Sequence, residues 1–118
     1  MFEIKKLSDE LSVSGQIEPA EMSNIASHGF QSIIGNRPDD EASGQPDWQS
    51  IAMAAASMGL EARHIPVGAE HTVDEQYGLF AHALAEMPKP ILAFCRTGNR
   101  STQLFEAAQN AAQNHTKD

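Results

Sequence analysis

The sequence predicts a single-domain α/β protein in which a mostly parallel sheet of about four or five strands carries helices on both faces. Two observations lead to this fold class. Segments with the patterning of strands alternate with segments of helical periodicity, and the residues at 91–94 are continuously apolar, as in a strand buried on both faces. The length of 118 residues matches one domain.

Each predicted element is short. Strands are predicted at 11–15, 30–34, 61–66 and 91–94. The helix predictions use apolar spacing, proline in the first turn and glycine after the last turn. Thr72 and Glu75 form a capping-box pattern at the start of one helix. The predicted helices cover about 18–28, 46–58, 72–84 and 104–111, and a polar tail follows from about 113.

The composition excludes several classes of protein. The chain has 8 basic and 16 acidic side chains and a formal net charge of −8, which repels nucleic acid and anionic membranes. Cys95 is the only cysteine, so a disulfide-stapled fold is excluded. The sequence has no apolar run of the roughly 20 residues that a membrane helix needs, and its start lacks the pattern of a signal peptide. We therefore expect a cytoplasmic protein that binds neither nucleic acid nor membranes.

The segment 95–101 carries the main chemical signal. In open parallel sheets, reactive groups collect beyond the carboxyl ends of the strands, where the loops at 36–47, 66–72 and 95–101 are predicted to meet. Cys95 lies between a predicted buried strand and a helix, where unpaired N–H groups and the helix dipole favour the thiolate. Gly98 permits the backbone turn of an anion-binding nest.

The same segment supplies the other groups that an anion site needs. Arg100 can present a planar pair of donors to an oxyanion, and the Ser101 hydroxyl can hydrogen-bond the Cys95 sulfur or a leaving group. These residues predict an activated nucleophile in a cradle for a tetrahedral anion. A buried, inert cysteine is the alternative. The predicted substrate-binding residues are Arg96, Thr97, Gly98, Asn99 and Ser101, with Arg37 from a neighbouring strand end.

The Cys-x-x-x-x-Arg pattern with an internal glycine is similar to the active loop of rhodanese sulfurtransferases, and tyrosine and dual-specificity phosphatases use a cradle one residue longer. Over about 8–108, the chain resembles the small bacterial phosphatase-like domain called beta-lactamase-hydrolase-like. That resemblance implies a protein tyrosine phosphatase-like α/β fold, and members carry phosphatase and sulfur-transferase labels. The matching segments are Leu11-Ser12-Val13-Ser14-Gly15-Gln16-Ile17, Gly29-Phe30, Asn36-Arg37-Pro38-Asp39, Gly44-Gln45-Pro46, His64-Ile65-Pro66-Val67 and Cys95-Arg96-Thr97-Gly98-Asn99-Arg100-Ser101.

The chain has features of both chemistries. The short loop leaves fewer N–H donors around a bound group, and Phe94 stands where tyrosine phosphatases typically place a histidine; both features favour sulfur transfer. Chain order opposes it, because a rhodanese domain continues past its cysteine loop through further strand and helix. Phosphomonoester hydrolysis therefore leads on the resemblance of the whole chain. A Cys95 persulfide transferase and a non-catalytic phosphate- or sulfate-binding module are the alternatives.

A phosphatase also needs a general acid to protonate the leaving oxygen. The dual-specificity pattern places an aspartate in the loop after a strand such as 64–67, where this sequence has Gly68-Ala69-Glu70-His71. Glu70 and Asp39 are the candidate acids, with His71 and Asp40 as further options. All four residues are also common in solvated turns.

The predicted mechanism has Cys95 as a thiolate that attacks a small anionic substrate held by the amides at 96–100 and by Arg100. The resulting cysteinyl intermediate then passes to water or to an acceptor. The substrate is a phosphorylated compound, or a sulfane-sulfur donor or sulfate under the alternatives. His64 is predicted to pack within the fold, and the other histidines lack metal-ligand spacing, so neither a metal nor another cofactor is predicted. The sequence does not indicate an oligomeric state.

Overall fold

The protein is built on a five-stranded sheet. The structure, a computed structural model, describes residues 3–116, with side chains through Gln113. The order across the sheet is β1-β2-β5-β3-β4; β1 is antiparallel to β2, and the other neighbouring strands are parallel. The predicted mostly parallel α/β architecture is confirmed. The strands are β1 Ile4–Lys6, β2 Leu11–Ser14, β3 Ser32–Gly35, β4 Glu61–His64 and β5 Ile91–Phe94.

The helices begin and end close to the predicted positions, except for the last. Thr72 and Glu75 form the predicted capping box, and the Asp47 side chain accepts a hydrogen bond from the Ser50 N–H at the start of another helix. The last helix extends through most of the segment predicted as a polar tail, because its alanine and glutamine residues favour helix. Residues 117 and 118 lie outside the described part of the chain. The helices are α1 Met22–Ser27 (after a 3-10 turn, Pro19–Glu21), α2 Trp48–Ser57, α3 Val73–Glu86 and α4 Asn99–Thr116.

Strand β1 is absent from the sequence-based prediction. All three of its residues are exposed, and Lys5 and Lys6 give it no apolar alternation. It lies at the edge of the sheet, where lysine is common because it discourages pairing with other chains. Its formation depends on pairing with β2, which local patterning does not report.

Two apolar clusters, one on each face of the sheet, fix the helices. On one face, Phe80 of α3 and Leu104 of α4 pack against alternate residues of the central strands. On the other, Ile25 of α1 and Ile51 of α2 pack against the intervening residues. Strand β5 contributes to both clusters and is buried throughout, as its continuous apolar run predicts. Within residues 3–116, no helix combines the length and apolar character that crossing a bilayer requires.

The sheet places the cysteine at a crowded edge. Strands β2, β3, β4 and β5 are mutually parallel, so their carboxyl ends meet on one side of the molecule. The chain continues from these ends at Gly15, Asn36, Ile65 and Cys95. The loops predicted to converge are therefore in contact, and hydrogen bonds link each of them to the first turn of α4 or to its approach.

Candidate active site

Cys95 directly follows β5 and has no exposed surface. Its surroundings are polar, because the Gly98 N–H donates to the sulfur at 3.0 Å. Burial raises the pKa of the thiol, but the backbone N–H groups of Ser101, Thr97, Arg100 and Gly98 together lower that pKa below its ordinary value of 9.0. Cys95 is thus buried, as an inert cysteine would be, yet it lies among donors that stabilise the thiolate.

Arg100 lies between the cysteine and an acidic side chain. Its Nη1 donates to Glu41 Oε2 and to the Val67 carbonyl, both at 2.6 Å, and its Nη2 donates to Glu41 Oε1 at 2.9 Å. Glu41 raises the pKa of Arg100, burial opposes this, and the nearby Cys95 raises it further. Three of the five guanidinium N–H donors are therefore engaged, and two are left for the sulfur and a bound anion.

Glu41 joins two arginines, and the sequence analysis did not identify it. Its Oε1 also accepts from Arg37 Nε at 3.0 Å, while Arg37 Nη1 donates to Gln16 Oε1 at 3.1 Å. The hydrogen bond from Arg100, and more weakly that from Arg37, lowers the pKa of Glu41, and burial partly opposes this. Arg37, predicted to bind substrate, is nearly buried and contacts Arg100 through Glu41. The four-residue spacing of Arg37 and Glu41 was the available signal.

Ser101 takes part in a buried network that was also missed. Its hydroxyl donates to Asn36 Oδ1 at 2.8 Å, and both side chains are fully buried. The hydroxyl proton is therefore engaged by Asn36, contrary to the expectation that it bonds the Cys95 sulfur or a leaving group. Asn36 Nδ2 donates in turn to the Ile65 carbonyl at 2.8 Å.

The remaining predicted binding residues contribute backbone more than side chain. Arg96, Thr97 and Asn99 are exposed, and the Asn99 N–H donates to Thr97 Oγ1 at 3.3 Å. The Arg96 carbonyl lies so close to Gly15 that a Cβ there would be 2.9 Å from its oxygen. Gly98, with φ of +95°, makes the turn into α4. Backbone geometry thus sets the shape of the cradle.

The candidate acids lie in one neighbouring pocket of about 450 Å³. Asp39 Oδ1 accepts from the Trp48 N–H at 2.7 Å, so this carboxylate also holds the start of α2. Glu70 and His71 are exposed on the opposite wall. Glu41 connects this acidic pocket to Arg100, but Cys95 is not among its lining residues. The structure brings the candidate acids together beside the cradle and does not place any of them against the sulfur.

The predicted packing of His64 is confirmed. Its ring stacks on Trp48 with centroids 4.9 Å apart, and its Nε2 lies 3.0 Å from the Arg37 carbonyl. Trp48 fits here because Gly35 has no side chain; a Cβ at Gly35 would lie 2.5 Å from the indole ring. Within the part of the chain that the structure describes, no group of three or more His, Cys, Asp or Glu side chains is arranged to hold a metal ion.

Comparison with known sequences identifies relatives of this site. Residues 3–112 match the family described as beta-lactamase hydrolase-like protein, phosphatase-like domain. A beta-lactamase hydrolase-like protein of Agrobacterium fabrum is 31% identical over 100 residues, which are 85% of this chain and 23% of that protein. One of Xylella fastidiosa strain Temecula1 is 30% identical over 108 residues, covering 92% and 25% of the two chains. The chain thus spans about a quarter of the length of these relatives.

Solved structures show the same fold. A proposed phosphatase from Neisseria meningitidis Z2491 superposes with a TM-score of 0.79 at 35% identity, covering 86% of this chain and 72% of that one. A proposed phosphatase from Shewanella putrefaciens CN-32 gives a TM-score of 0.78 at 19% identity, covering 94% and 70%. The architecture is therefore a three-layer, protein tyrosine phosphatase-like α/β fold.

Proposed function

Because this chain belongs to the phosphatase-like domain family of beta-lactamase hydrolase-like proteins, we propose that it is a cysteine-dependent phosphatase acting on a small phosphomonoester. The observation that carries the proposal is the set of backbone N–H groups around Cys95, which lowers the pKa of the thiol despite its burial. Arg100 beside the sulfur supplies positive charge for the phosphoryl oxygens. A thiolate nucleophile persists in a reducing compartment, so we further propose a cytoplasmic location.

The proposed reaction has two steps. The Cys95 thiolate attacks phosphorus, a P–S bond forms, and the P–O bond to the leaving group breaks. The leaving oxygen takes a proton from the acid. Water then attacks the phosphocysteine, the P–S bond breaks and inorganic phosphate leaves, while the acid regains the water proton as a general base. The loop amides and Arg100 hold the phosphoryl oxygens through both steps.

Glu70 is the preferred candidate for the acid, and Asp39 is the second. Among the described residues, the Glu70 carboxylate has no hydrogen bond or ion pair, so it is free to turn toward a leaving group. Asp39 accepts the Trp48 N–H and would have to give up that bond. Because Glu70 is exposed on a loop, the acid has to be ordered by the bound substrate.

Persulfide transfer is the second candidate, and one observation favours it. The donors converge on the sulfur itself, with Gly98 N–H at 3.0 Å, and sulfur transfer needs no general acid. Here the thiolate attacks the outer sulfur of thiosulfate; the S–S bond breaks, sulfite leaves, and Cys95 becomes a persulfide. Cyanide then attacks the outer persulfide sulfur, releasing thiocyanate and the thiolate.

The two candidates are separated by assays of purified protein with an aryl phosphate and, separately, with thiosulfate and cyanide. The proposal predicts phosphate release that Cys95→Ser abolishes and that Ser57→Ala, an exposed position on α2, leaves unchanged. Thiocyanate formation without phosphate release would replace the phosphatase by the sulfurtransferase. If neither product forms while sulfate raises the melting temperature, the chain is a phosphate- or sulfate-binding module.

A further inference from the structure

Asn36 links all the loops around the cysteine. It follows β3 and is fully buried. Its backbone N–H donates to the Phe94 carbonyl at 2.7 Å, directly before Cys95, and its own carbonyl accepts from the Val67 N–H at 3.0 Å. Val67 is also the residue whose carbonyl accepts from Arg100. The backbone of Asn36 therefore connects the approach to the cysteine with the loop that holds the arginine.

The side chain of Asn36 has one possible orientation. The Ile65 carbonyl only accepts hydrogen bonds, so the atom 2.8 Å from it must be the amide nitrogen. The amide oxygen then faces Ser101, whose hydroxyl must be the donor in their 2.8 Å contact. Both partners of this bond have no exposed surface, so water cannot replace either of them.

Ser101 lies in the first turn of α4, and its backbone N–H faces the Cys95 sulfur. Anchoring the Ser101 side chain therefore anchors the turn that carries these N–H donors. The other end of the anchor is rigid, because Asn36 is joined to β5 through Phe94 and to the chain after β4 through Ile65.

We propose that Asn36 is a positioning residue: its side-chain amide holds Ser101, and through Ser101 it aims the first turn of α4 at the thiolate. The inference rests on the proposed role of Cys95 as the nucleophile. Asn36 itself does not touch the sulfur or the substrate in this account. It sets how strongly the loop favours the ionised form of the thiol.

The test is the thiol pKa of Asn36→Ala, measured by the ultraviolet absorbance of the thiolate against pH. Cys95 is the only cysteine, so subtracting the same titration of Asn36→Ala/Cys95→Ser isolates its signal. We expect the midpoint to rise by about one pH unit relative to the wild type, because loosened N–H donors stabilise the thiolate less. An unchanged midpoint in folded Asn36→Ala overturns the proposal.

Ser32→Ala is the matched control. Ser32 lies in the same strand at its opposite end, is fully buried, and donates a 2.7 Å hydrogen bond to the Pro88 carbonyl. This variant should lower the melting temperature without moving the Cys95 midpoint. Equal shifts in both variants would show a general loosening of the fold and would overturn the positioning role.

Ser101→Ala breaks the same bond from its other partner. It should raise the midpoint in the same direction, and the double variant should shift it no further than the larger single change. If Asn36→Ala fails to fold, an unchanged midpoint in Ser101→Ala overturns the proposal by itself. The titration uses no substrate, so a wild type that releases no phosphate ends the proposed function while this inference is still decided by the midpoints.

Discussion

The two sides of the candidate site are built differently. The cysteine loop, residues 95–101, is held by backbone hydrogen bonds and by buried side chains. The acidic pocket, lined by residues around 38–41 and 68–71, carries exposed carboxylates on surface loops. The nucleophile and its anion cradle are thus preorganised, whereas the group that would protonate a leaving oxygen is not.

The physical cost of each group explains this difference. A thiolate without exposed surface needs several donors to offset its lost hydration, so the chain must fix those donors in place. An exposed carboxylate keeps its water and needs no such support. Glu41 is intermediate, since it is partly buried and held by two arginines. The chemistry that this chain specifies most firmly is therefore formation of a covalent bond at sulfur.

The largest predicted effect tests the preorganised side. Arg100→Lys replaces a planar fork by a single ammonium group, which cannot keep its contacts to Glu41 and the Val67 carbonyl and also bind an anion. We expect kcat/KM for an aryl phosphate to fall by about 100-fold or more. Arg96→Lys, at an exposed position in the same loop, is the control and should change it less than about threefold. Similar losses in both variants would contradict the special position of Arg100.

A smaller effect is predicted on the acidic side. Glu70→Gln should lower kcat for an alkyl phosphate by about tenfold, because a poor leaving group depends on protonation. An aryl phosphate with a good leaving group should be hydrolysed at nearly the wild-type rate. Asp39→Asn is the matched comparison. If it, rather than Glu70→Gln, shows the alkyl-selective loss, Asp39 is the acid and the preference stated above is wrong.

The smallest predicted effect concerns the link between the two sides. Glu41→Gln places an amide against two guanidinium groups and should destabilise the fold by about 1 kcal/mol at neutral pH. The folded protein lowers the pKa of Glu41, so its stabilisation is complete above the ordinary value of 4.5 and is lost as the pH falls through the lowered value. Unfolding of both proteins in urea at several pH values should show the difference shrinking in acid. A constant difference would contradict the ion-pair explanation.

Local patterns in the sequence predicted most of the fold. Strand β5 was predicted with its observed bounds, because a strand buried on both faces is continuously apolar. Strand β1 was not predicted, since its stability comes from a partner rather than from its own residues. The parallel arrangement followed from the alternation of helices and strands, and it correctly placed three loops together.

The site was predicted only where its chemistry lies in one contiguous segment. Cys95 and Arg100 share a loop, so their spacing is visible in the sequence. Asn36 and Glu41 contact that loop from a distant segment, and their roles depend on side-chain directions that only the fold determines. Predicting them would have required knowing that the residue after β3 faces the first turn of α4.

The central claim is that the fold ionises a buried thiol, and a difference titration of the thiolate absorbance between the wild type and Cys95→Ser tests it most directly. A lowered pKa predicts a midpoint well below 9.0, with full protonation recovered in acid. By linkage, the wild type should also gain stability over Cys95→Ser as the pH rises from that midpoint toward 9.0. A midpoint at or above 9.0 would contradict the claim and leave Cys95 a packing residue.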